Sequence, residues 1–132
     1  MKNFSLLLLL FITTLGFTQT EVVQTPQIAF KIGLGTTVSN DGVKIQFKEV
    51  LEDSRCPLNV QCVWAGQARV RVMVSGPDLP EESLDLIVAK KDKNVLFIAE
   101  NYVLKAMGLA PYPDTKNPEN KKYILSVVKE KL

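Results

Sequence analysis

The sequence predicts an all-β domain: a single antiparallel β-sandwich of about seven strands, immunoglobulin-like in build. Three observations carry that expectation. Apolar residues alternate with polar ones over short runs, the period-two pattern of half-buried strands. Clusters of Gly, Pro, Asn, Asp and Ser separate the runs, and these residues suit tight turns. No convincing amphipathic helical stripe breaks the series.

The chain opens on a different signal. Lys2 supplies a short positive region, Phe4 to Phe11 is apolar apart from Ser5, and Ile12 to Leu15 extends the run. Gly16 and Thr18 are small residues placed for a cut before Gln19. Residues 1–18 therefore read as a secretory signal peptide. The apolar run falls short of the about 20 residues of a membrane span. An uncleaved N-terminal anchor is the rival reading. No cysteine stands near the cut to carry a lipid. Residues 19–27 are polar, contain Pro26, and read as a flexible leader to a domain over 28–132.

In that domain Ile28, Phe30, Ile32 and Leu34 alternate with Ala29, Lys31 and Gly33. Val43, Ile45 and Phe47 alternate with Lys44, Gln46 and Lys48. Ser39-Asn40-Asp41-Gly42 between them is a hairpin turn signal, because Asn, Asp and Gly tolerate positive φ. Ala68, Val70, Val72 and Val74 alternate with Arg69, Arg71 and Met73, and Ser75 to Asp78 ends that strand. Leu84, Leu86 and Val88 form the next run, and Lys90 to Asn94 is a charged turn. Val95 to Ile98 and Tyr102 to Ala110 read as strands. The helical spacing of Tyr102, Lys105, Ala106 and Leu109 leaves a short helix over 100–109 as an alternative, which Gly108 and Val103 weaken. Pro111-Tyr112-Pro113 breaks this run, a loop follows to Lys121, and Tyr123, Leu125 and Val127 mark a last strand.

The composition narrows the chemistry. Sixteen basic residues face fourteen acidic ones. Removing the signal peptide takes away Lys2, so the mature chain is close to neutral. Nothing there pulls toward nucleic acid or an anionic membrane. Histidine is absent, which removes the usual general base near neutral pH and the commonest metal ligand. Gly33-Leu34-Gly35 lacks the third glycine and the helix of a phosphate loop. Asp41-Gly42 lacks the spaced oxygen ligands of a calcium loop. Met73 and Met107, on separate strands, read as packing residues rather than copper ligands. Glu81, Glu82 and Asp85 read as a solvated turn. No cofactor, metal or catalytic residue is expected.

The stretch Asp53–Gly66 holds both cysteines and the single tryptophan. Five residues separate Cys56 from Cys62, too many for a thioredoxin-like pair. Two cysteines without histidine do not complete a zinc site. In an exported chain a disulfide staple is expected, with a labile redox switch as the other reading. Trp64 is expected in the core, packed against the bridge; the rival is an exposed platform for a sugar ring or peptide. Asp53 and Arg55 read as a local ion pair or turn cap, or else as the charged rim of a ligand groove. Gly66 is placed for a bulge or a close backbone approach.

The string Asp53-Ser54-Arg55-Cys56-Pro57, four residues, then Cys62-Val63-Trp64-Ala65-Gly66 resembles the signature of a family of small exported bacterial proteins of unknown function. The Pro111-Tyr112-Pro113 turn and the Tyr123 strand are similar to that family's later part. The likeness spans roughly Ile28 to Lys129, with its specificity in Asp53–Gly66. It implies a secreted β-rich domain with a Cys56–Cys62 bridge, and no activity.

The functional expectation is therefore an exported, periplasmic or extracellular, non-enzymatic binding module. Its contact residues would be Asp53, Arg55, Gln61, Trp64 and Gln67, on a loop held by a rigid scaffold. The partner would be a protein, peptide or glycan, not nucleic acid. The mature chain would be a monomer with no stable membrane insertion. An inhibitor of a protease or other wall-directed enzyme, acting through the disulfide loop, is the alternative. A carboxylate-based hydrolase comes third.

Overall fold

The computed structural model describes residues 27–132 and contains, among them, eight strands and no helix. These are β1 (Ile28–Gly33), β2 (Thr37–Asn40), β3 (Val43–Asp53), β4 (Ala68–Gly76), β5 (Leu79–Ile87), β6 (Val95–Ile98), β7 (Tyr102–Ala110) and β8 (Ile124–Lys131). The expected signal segment, and all of the expected leader but Gln27, lie outside the described residues.

Two antiparallel sheets of four strands each, ordered β1-β8-β7-β6 and β2-β3-β4-β5, form the expected sandwich. The layering is the one immunoglobulin-like domains share. The connectivity is two meanders, β2 to β5 and β6 to β8, with β1 laid beside β8. The period-two runs face inward as read: Val43, Ile45 and Phe47 of β3, Val70, Val72 and Val74 of β4, and Leu125 and Val127 of β8 are buried in one core. Each fully buried aliphatic side chain contributes about 1.5–3 kcal/mol.

The strands number one more than the expected seven, the addition being β2, and β5 starts earlier than expected, because neither β2 nor the first half of β5 carries alternation. In β2 only Val38 is a sizeable apolar residue. Pairing creates the strand: Asp41 and Gly42 both adopt positive φ, 49° and 81°, in a two-residue turn that folds Asn40 onto Val43. Such a turn matches the natural strand twist. β5 begins at Leu79, so Glu81, Glu82 and Asp85 lie on an edge strand and not in a turn. Arg71 of β4 ties this edge to β3, bonding Asp85 at 2.7 Å on one side and Glu49 at 2.8 Å on the other.

The region left open to a helix is strand β7. Its register slips by one residue between Ala106 and Gly108. That bulge turns Met107 outward, so Ala106 and Leu109 both face the core. Between β5 and β6 the chain bridges the sheets: Val88 N–H donates to Ala68 O of β4, and Ala89 N–H to Ala106 O of β7, both at 3.0 Å. Buried Asn94 locks this corner, its amide nitrogen donating to the same Ala106 O at 3.1 Å.

Candidate functional site

Between Asp53 and Ala68 the chain runs out and back as a narrow hairpin. The β3–β4 register ends at Asp53↔Ala68. It continues with Ser54 N–H bonded to Gln67 O at 2.9 Å and Cys56 N–H to Ala65 O at 3.0 Å. Gly66 makes the tight approach possible. Its φ is 68°, and a Cβ there would lie 1.8 Å from Ser54 O. This is the close backbone approach expected of Gly66.

Cys56 and Cys62 are joined in a disulfide, with Cα atoms 5.9 Å apart. Closing so short a ring stabilises by about 2 kcal/mol on the loop-entropy model. The first limb is pinned sideways as well. Leu58 N–H donates to Pro113 O at 3.0 Å. The Asn59 amide nitrogen donates to Asp114 Oδ1 at the same distance.

The base of the hairpin is a clasp of buried charge. Arg55 Nε and Nη2 donate to Asp53 Oδ1 and Oδ2, each at 2.7 Å, a fork-to-fork pair. Nη1 donates to Leu109 O, and Nη2 also donates to Pro111 O at 2.9 Å. Tyr123 OH donates to Asp53 Oδ2 at 3.2 Å. The Tyr112 ring covers the guanidinium face, 4.3 Å from the ring centre to Cζ. Both charged side chains are only 9% exposed. Burial by itself disfavours the Asp53 carboxylate. The Arg55 hydrogen bonds and charge outweigh it and hold the carboxyl below its ordinary value. Burial, with the Asp53 charge beside it, pushes the Tyr123 phenol up.

Of the two readings of Asp53 and Arg55, the local ion pair is present and reaches further than a turn cap. It ties the hairpin to the end of β7, across the two sheets. Both side chains are committed internally. The placement of Trp64 is a correction. The indole expected in the core is 79% exposed, and Val63 beside it is 95% exposed. Core positions begin only at Ala68, and Trp64 lies beyond the last backbone pair of the hairpin. The sandwich has no interior at that height. Leu58 and Val60 on the same loop are exposed too, and no residue from Cys56 to Gln67 is charged. Gln61 is exposed at the tip and Gln67 half-buried at the base.

Two grooves flank the clasp and share Tyr112 as a wall. The larger, about 690 Å³, lies between the hairpin limb Ala65–Ala68 and β7 residues Met107–Ala110. The smaller, about 290 Å³, is lined by Asp53, Pro57, Tyr112, Tyr123 and the loop 113–121. Gln67 lines the larger groove and Asp53 the smaller, with Arg55 in the larger; Gln61 and Trp64 line neither. Sequence reasoning missed Tyr112 and Tyr123 as site residues. Tyr112 stands out only as the residue between two prolines. Among the described residues no three His, Cys, Asp or Glu side chains are grouped to hold a metal ion. Comparison with protein-family models, curated proteins and solved structures gave no match.

Proposed function

We propose that the chain is an exported, non-enzymatic binding module whose contact surface is the disulfide hairpin, and that its partner is a protein with an apolar cleft. The exposure of Val63 and Trp64 on an anchored, uncharged loop carries this reading. A large apolar group held in water forgoes the stabilisation of burial, and a neighbouring pair of them marks a surface that is covered in use. Tryptophan is among the residues that contribute most at protein interfaces. The bridge, the clasp and the Leu58 and Asn59 bonds hold the loop before docking, so little ordering cost remains. A protease or other wall-directed enzyme, inhibited by the same loop, is the alternative partner on the same ground.

The test compares wild-type protein with Trp64→Ala, both immobilised and exposed to envelope and secreted fractions of the source cells. Wild type should retain a protein that the variant does not. The two should unfold within about 0.5 kcal/mol of each other, as surface substitutions do. Equal retention by both, or none by wild type, removes this reading.

A further inference from the structure

We infer that the larger groove is a separate binding site, which takes the C-terminal end of an extended apolar peptide. The observations are four. First, β6 covers β7 only over Val103–Lys105, so Met107–Ala110 have no strand beside them on that side. Arg55 occupies part of that edge, taking Leu109 O and Pro111 O with its own donors. An uncovered strand edge is the surface on which an extended peptide adds as a further strand. Second, six of the fifteen lining residues are alanine or glycine: Ala65, Gly66, Ala68, Ala89, Gly108 and Ala110. A second backbone can approach closely there.

Third, one end is shut. Val88 and Ala89 span from β4 to β7 at Ala106, so a chain lying along β7 stops at that corner. A peptide seated there presents a terminus. Fourth, the shut end carries Lys90. Its ammonium forms no ion pair among the described residues. No carboxylate lines the groove, and its other cation, Arg55, is neutralised by Asp53. The end group that fits is a carboxylate. The groove follows about four residues of β7, or about 13 Å at the strand rise, with Leu109 O among them already held by Arg55.

The site is independent of the loop tip, and its test is kept separate. The full-length oxidised protein is immobilised and offered two synthetic pentapeptide pools with mixed Ala, Val, Leu and Ile positions. The pools differ only in ending as free carboxylate or amide. The acid pool should be retained about tenfold over the amide pool, the scale of one charge-assisted contact. Lys90→Glu should erase that preference. Ala110→Trp, which fills the groove, should abolish retention of both pools. Trp64→Ala should change nothing, so failure of the loop reading leaves this result intact. Equal retention of the two pools, no retention, retention unaffected by Ala110→Trp, or retention of an oligosaccharide pool in their place would overturn the proposal.

Discussion

Gly66→Ala will destabilise the protein by at least about 3 kcal/mol, read as a fall in the urea midpoint at constant slope. Two effects add. A left-handed backbone costs an alanine about 1–2 kcal/mol relative to a favourable conformation. The new methyl would also sit 1.8 Å from Ser54 O and 2.5 Å from Ser54 C, both backbone atoms of the facing limb. Neither limb yields cheaply, because Ser54–Gln67 and Cys56–Ala65 hold them together on either side. Gly35→Ala separates the effects. Gly35 has a similar φ of 80°, but nothing lies within 4 Å of its Cβ position. That variant should show the conformational cost alone, about 1–2 kcal/mol. Equal losses at the two positions would contradict the collision.

Arg55→Ala will cost about 3–5 kcal/mol, the range for removing one partner of a buried pair. The loss is large because of what remains: a buried Asp53 carboxylate without its counter-ion, and Leu109 O and Pro111 O without their donor. Arg55→Lys should recover only part, since an ammonium cannot reproduce the fork that reaches two carboxylate oxygens and two carbonyls. The pair also predicts the acid limb of stability. The folded Asp53 carboxyl lies below its ordinary value of 3.8. Its contribution is therefore complete above that ordinary value, and is lost as pH falls through the lowered folded one. Asp53→Asn should flatten the acid limb of the stability–pH curve. An unchanged limb in that variant would mean that another carboxyl governs it.

The sandwich was legible in the sequence wherever one face of a strand is buried. Val43, Ile45 and Phe47, and Val70, Val72 and Val74, point to the core because their alternation reports the core directly. β2 and the start of β5 were illegible for the same reason. They are strands through pairing with β3 and β4, and a partner leaves no periodic mark. The disulfide was placed correctly and the neighbouring tryptophan was not. General preference places an indole inside, but the alternation that defines the interior begins at Ala68, four residues later. The Asp53–Arg55 contact was visible because the residues are two apart. Its reach to Leu109 and Pro111 was hidden, since it runs to main-chain carbonyls more than fifty residues away, and a carbonyl carries no residue signature.

The outer strands bear on how concentrated solutions behave. Of the four outermost, β2 and β6 are only four residues long, and β5 presents Pro80, Glu81 and Glu82. Short length, proline and like charge each discourage one molecule from zipping onto the next. β1 lacks the first two of these protections and has Lys31 as its sole charge. Among these four outermost strands, edge-to-edge pairing between molecules should therefore start along Ile28–Gly33.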